Sequence, residues 1–183
     1  MRRFLVNMHR NLAIGAALVA FAACGPSESP TVAIAAAGPS SSSLPSPVER
    51  RIAEGETLFF GKGGCSTCHS VGTRGTMERG PNLGSNAEFP EPFARRAPGR
   101  RPGVDTLAYA IESILHPDAF VVPGFAPGVM KSVDDLPTRL SDGDIIGLAL
   151  YVSSIGATTL PTEADIKAAR TLIDGVRKMR QQP

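Results

Sequence analysis

The sequence predicts an all-α protein, with a small helical domain over residues 48–160 and an extra C-terminal helix within 161–183. Three observations carry that prediction. Apolar residues recur at three- and four-residue spacing in several separate stretches, and no stretch alternates as a half-buried strand does. Aromatic residues are scarce, at 5% with no Trp. A core with so few large side chains is expected to be completed by something other than protein.

The elements follow in chain order. A first helix is expected over Val48–Phe60, with Ile52, Glu56 and Phe59 on one face and Gly61 as its stop. Gly63 and Gly64 then turn the chain into Cys65-Ser66-Thr67-Cys68-His69. FARRAPGRRPG, from Phe93 to Gly103, reads as a Pro/Gly-rich loop carrying Arg95, Arg96, Arg100 and Arg101. Asp105 caps a helix running to about Leu115, which turns Leu107, Ala108, Ile111, Ile114 and Leu115 inward. Val121–Val133 (VVPGFAPGVMKSV) reads as a shaped, extended loop. Ser141, with Asp144 three residues on, has the layout of a capping box, and Ile145, Ile146, Leu148, Ala149 and Val152 follow at helical spacing. Beyond Pro161, Ile166, Ala169, Leu172, Ile173, Val176 and Met179 share one face of a last helix. That helix is expected to fold back on its own domain or to clamp a neighbouring subunit.

The N-terminus has a different character. Arg2, Arg3 and Arg10 precede an uncharged, mostly apolar stretch from Asn11 to Ala23, the layout of a secretory signal and too short for a confident spanning helix. Phe21-Ala22-Ala23-Cys24 resembles a bacterial lipobox, with Phe21 at the usual Leu position. Residues 1–23 are therefore expected to be a lipoprotein signal peptide and Cys24 the lipidated residue; an uncleaved anchor helix is the alternative. In either case the domain is exported and membrane-anchored, on the periplasmic side of a bacterial membrane. Residues 24–47 are rich in Ser, Pro, Ala and Gly and read as the anchor and a flexible linker, spanning roughly 25–30 Å as a coil. Of the 19 basic residues three fall in the signal, so 16 remain against 17 acidic ones. A mature charge near −1 weakens any nucleic-acid reading, which would need a clearly basic domain, and no nucleic-acid partner is expected.

The cysteines carry the chemistry. With Cys24 assigned to the anchor, only Cys65 and Cys68 remain, too few for a four-thiolate zinc site or an iron–sulfur cluster. Two thiols three positions apart can form thioethers to both vinyl groups of one haem, and His69 then comes beneath the iron. Haem c, one group per chain, is the expected cofactor; a thiol–disulfide site is the alternative. For the second axial position the downstream candidates are Met77, His116, Met130 and Met179. Met77 is too close to His69 to wrap the haem edge, and Met179 lies in the tail. Met130, in the shaped loop, is favoured. His116 competes, although its place before Pro117 also suits a polar residue ending a helix.

In this order of parts the chain resembles the class I c-type cytochromes, over nearly all of Val48–Ile155. The resemblance rests on a first helix with Gly55 and Phe59, CSTCH, Gly80-Pro81-Asn82-Leu83, a middle helix, the Met loop, and a late helix with Tyr151. It implies a cytochrome c fold wrapped around one covalently bound haem. It also implies that the Pro81 carbonyl accepts a hydrogen bond from His69, and that Gly55 touches Tyr151 where the first and last helices cross. Lys131 stands where that family often has Pro. The implied function is single-electron transfer through a His69/Met130-ligated haem in a respiratory or photosynthetic chain. Redox proteins would be its partners, with a membrane oxidoreductase such as alternative complex III as the architectural analogy. A haem enzyme or gas sensor with an open axial site is the competing expectation. The arginines of Arg95–Arg101 are expected either to dock an acidic partner or to pair with a haem propionate.

Overall fold

A computed structural model describes residues 44–76, 79–100 and 102–182. The expected signal peptide, the Cys24 lipidation site, most of the linker, Met77 and Arg101 lie outside the described residues. The described chain is mostly helical: α1 Pro47–Phe60, α2 Phe93–Arg100, α3 Thr106–Leu115, α4 Asp142–Ser154 and α5 Glu163–Arg180. A small antiparallel hairpin, β1 Ser70–Val71 with β2 Arg74–Gly75, pairs Ser70 with Gly75 and Val71 with Arg74. Its strands are too short to leave an alternation in the sequence. No helix among the described residues is long and apolar enough to cross a membrane.

Local chemistry starts each long helix. Ser46 accepts from Glu49 N–H at 3.1 Å, and the Glu49 carboxylate accepts from Ser46 N–H at 2.7 Å. With Pro47 in the first turn, this reciprocal cap begins α1 one residue before Val48. Asp105 accepts from Ala108 N–H at 2.8 Å ahead of α3, and Ser141 and Asp144 cap α4 reciprocally. Ahead of α5, Asp165 accepts from both the N–H and the hydroxyl of Thr162.

The segment read as an arginine-rich loop is instead largely the helix α2. Gly and Pro disfavour a helix there, but the fold overrides them. The first amides of α2 find carbonyls elsewhere, Phe93 N–H on Leu83 at 2.8 Å and Ala94 N–H on Ile155 at 3.1 Å. Phe93 and Ala97, four residues apart, are both buried, and Phe93 stacks on Tyr109 at 5.5 Å between ring centroids. Pro98 lies inside α2 and has no amide to donate to the carbonyl four residues back, a loss that the tertiary contacts of this segment outweigh.

One core joins these helices. The crossing of α1 and α4 is tight: a Cβ on Gly55 would lie 1.9 Å from the Gly147 carbonyl oxygen and 2.8 Å from Tyr151 Cβ. Gly147 is thus the nearer partner of Gly55, with Tyr151 beside it. The Phe59 ring lies 5.1 Å from Phe60 and 5.6 Å from Tyr151. α3 packs against both α4 and α5 around the fully buried Ile111, Leu115, Ile145, Leu148 and Ile173. α5 folds back on this domain and buries Ala169, Ile173 and Val176 in the same core.

Candidate functional site

A pocket of about 470 Å³ opens between the cysteine turn, α3 and the loop after it, a volume in the range of cofactor sites. One wall is the turn Gly64–His69. Gly64 takes a left-handed conformation (φ 68°), after which Cys65–Thr67 form a single 3₁₀ turn. The amides of Cys68 and His69 both bond to Cys65 O, at 3.1 and 2.9 Å, and Thr67 Oγ1 donates to Gly64 O at 2.6 Å. This compact turn presents Cys65, Cys68 and His69 to the same cavity.

His69 is held from behind. Its Nδ1 lies 2.9 Å from the Pro81 carbonyl oxygen. A carbonyl only accepts, so Nδ1 carries the hydrogen and Nε2 keeps a free lone pair. Burial pushes the imidazole below its usual pKa, opposed by the Pro81 bond and aided by the nearby Arg96 charge. The neutral ring is the form that ligates metals. Gly80 leaves no room for movement: a Cβ there would sit 2.4 Å from His69 Cε1. Asn82, 2% exposed, locks this segment to the hairpin. Its oxygen accepts from Gly72 N–H and Gly84 N–H, and its amide donates to Gly72 O at 2.8 Å. Sequence reasoning quoted this tetrapeptide whole but gave a role only to Pro81.

Both pocket cysteines are free thiols. Burial pushes Cys65 up to about 11, whereas thiol–disulfide exchange needs a thiol whose pKa is lowered. Among the described residues no three His, Cys, Asp or Glu side chains converge as a metal-binding group.

The opposite candidates separate by position. Met130 lines the pocket with His69 and is 37% exposed. Its loop turns at Gly124 and Gly128, both at positive φ (94° and 70°), and Gly128 N–H donates to Asp118 Oδ1 at 2.7 Å. His116 ends α3 through a 2.7 Å bond from its amide to Glu112 O, and it does not line the pocket. Met179, on α5, is 48% exposed and also lies away from it.

The pocket's charge is one-sided. Arg79, Arg96, Arg100 and Lys131 line it, against the single acid Asp118. Arg96 is half-buried, donates to the carbonyls of Asn82 and Glu91, and lies 4.9 Å over the Phe89 ring. Burial, with Arg100 nearby, pushes its pKa down. Arg95 points elsewhere and pairs with Glu91 at 2.9 Å. The arginines of this segment therefore form no uniform exposed patch among the described residues. Arg79 had no signal in the sequence, because the cations that meet here come from separate segments. No protein-family model matches the chain, and no curated protein is significantly similar to it.

Proposed function

We propose that the protein is a membrane-tethered electron carrier of the class I c-type cytochrome kind, holding one haem c in this pocket. The observation that carries the reading is the convergence of Cys65, Cys68, His69 and Met130 on one cavity of about 470 Å³. Cys65 and Cys68 would hold the haem through two thioethers. His69 would offer Nε2 to the iron while Pro81 fixes the ring and raises its basicity. Met130 would supply a second protein ligand to the iron. The cationic lining set by Arg79, Arg96 and Arg100 complements two propionates, and the apolar walls formed by Phe59, Leu83, Leu148 and Val152 exclude water.

Bound haem supplies a one-electron iron centre. Sulfur and imidazole ligation raise its potential and leave no open coordination position. Closed ligation suits outer-sphere electron transfer, since little rearranges as the charge changes. The donor and acceptor in this reading are redox proteins of a respiratory or photosynthetic chain, with a membrane oxidoreductase complex of the alternative complex III type as one setting. The Cys24 anchor would keep the domain at the periplasmic membrane surface.

Optical spectroscopy of the haem-loaded protein tests this. The ferric sulfur–iron band at the red end of the spectrum is expected, with slow carbon monoxide binding to the reduced form. Met130→Ala is expected to abolish the band and open the iron to carbon monoxide. A spectrum unchanged by that substitution would show that Met130 is not the ligand. Absence of the band from the unsubstituted protein, with rapid carbon monoxide binding, would favour a haem enzyme or gas sensor.

A further inference from the structure

The electron-carrier reading has no use for α5, yet the arginines at its C-terminal end are spent on one short segment and on the start of α4. Arg177 grips Asp134 with two bonds, Nε to Oδ2 at 2.9 Å and Nη2 to Oδ1 at 2.8 Å, and also reaches Asp142 at 2.8 Å. Arg180 donates to Ser132 Oγ at 2.9 Å and to both oxygens of Asp135 at 3.2 Å. Ser132, 4% exposed, passes the hold to the backbone, because its hydroxyl also accepts from Asp134 N–H at 3.2 Å. These residues begin two positions after Met130. Between them Val133 is buried in the core and lines the pocket, its amide on Ile114 O at 3.2 Å.

On the other side of Met130, Gly128 is fastened through its amide to Asp118. Met130 therefore hangs between two anchors, and the second combines the buried Val133, bonded to α3, with side chains of α5. The helix itself is fixed by the buried Ala169, Ile173 and Val176, so it offers a rigid mount. We propose that α5 is a clamp on the Met130 loop, and that Arg177 and Arg180 are positioning residues that keep the Met130 sulfur on the iron. This rests on Met130 being the axial ligand. It gives the last helix a task in holding the ligand loop, apart from any task in recognising a partner.

The test uses the haem-loaded full chain and the paired variant Arg177→Gln with Arg180→Gln. Two quantities are read: amide hydrogen exchange across residues 129–135, and the affinity of ferric iron for added imidazole, which must displace the resident ligand. Exchange is expected to accelerate in that segment but not in α1, and imidazole to bind about tenfold more tightly, the scale expected for losing charge-assisted bonds. Reversing the pair, Asp134→Arg with Arg177→Asp, is expected to bring both quantities part of the way back. A loss of stability spread over the whole domain would raise exchange in α1 as well and would overturn the clamp. Unchanged exchange at 129–135 also overturns it. Unchanged imidazole affinity in the Gln pair, with tighter binding in Met130→Ala, overturns the clamp alone. Unchanged affinity in both overturns the ligand assignment, and the clamp's role falls with it. Should the Gln pair fail to take up haem, Arg177→Lys with Arg180→Lys keeps the charges and removes the bidentate fork, and the same quantities decide.

Discussion

At position 80 a single methyl group decides the geometry of the site. It would lie 2.4 Å from His69 Cε1, 2.7 Å from Nδ1 and 2.9 Å from Nε2, all closer than real contacts allow. The ring would have to tilt, and the 2.9 Å bond to Pro81 would lengthen or break. Gly80→Ala is expected to destabilise the domain by about 2–4 kcal/mol, combining overpacking with a partly buried hydrogen bond left unmade. Denaturant titration measures that loss, and under the proposed haem binding the fraction of chains carrying covalent haem should fall with it. Gly99→Ala, inside α2 with nothing within 4 Å of the added carbon, is the control and should not lower stability. The requirement at position 80 is steric, so it cannot be seen until the imidazole and the Gly80 backbone are both placed.

Between elements, the two glycines of the α1–α4 crossing are not equivalent. A Cβ on Gly55 would run into the Gly147 carbonyl at 1.9 Å, backbone that cannot step aside without parting the helices. A Cβ on Gly147 would meet Arg51 O at 3.2 Å, a tight contact that a small shift relieves. Gly55→Ala is therefore expected to cost about 3 kcal/mol or more and Gly147→Ala about 1 kcal/mol, read as shifts in thermal midpoint. The caps at Asp105 and Ser141 were legible in the sequence because a cap is a matter of three or four neighbouring residues. α2 was not, because Phe93 and Ala94 are held by Leu83, Ile155 and Tyr109, which the local sequence does not contain. The place of Gly147 opposite Gly55 was equally hidden, since only the packed helices bring those positions together.

For the whole molecule, the Asp134–Arg177 pair links the tail helix to the site and gives stability a pH dependence. Hydrogen bonds from Arg177 hold the Asp134 carboxyl below its usual pKa against the opposing effect of burial, helped by the charges of Arg177, Arg180 and Arg139. A carboxylate lowered in the folded state contributes fully above its unfolded value of about 3.9 and loses that contribution as pH falls through the lowered folded value. Asp134→Asn should therefore be less stable than the native chain by roughly 1 kcal/mol at neutral pH, and the gap should close below about pH 4. Equilibrium unfolding across that range measures the gap; one independent of pH would show that the pair does not act through charge. The site's legibility divides along similar lines. Cys65, Cys68 and His69 are contiguous, and Pro81 and Met130 stand in recognisable short segments, so each could be named before the fold was known. The cations could not, since Arg79, Arg96, Arg100 and Lys131 meet only around the pocket.

The closeness of Gly55 and Gly147 has an evolutionary consequence. By pinning two distant helices together, the crossing turns the hairpin, α2, α3 and the Met130 loop into excursions from a fixed base. Lengthening a closed excursion is cheap, about 0.6 kcal/mol for each doubling of its length. Insertions and deletions in the stretches either side of α2 and α3 should therefore be tolerated while the pinned pair holds. Kinship with this chain should be sought first in the two small residues at the crossing and the CSTCH turn beside it, and only later in the surface stretches, where lengths can drift freely.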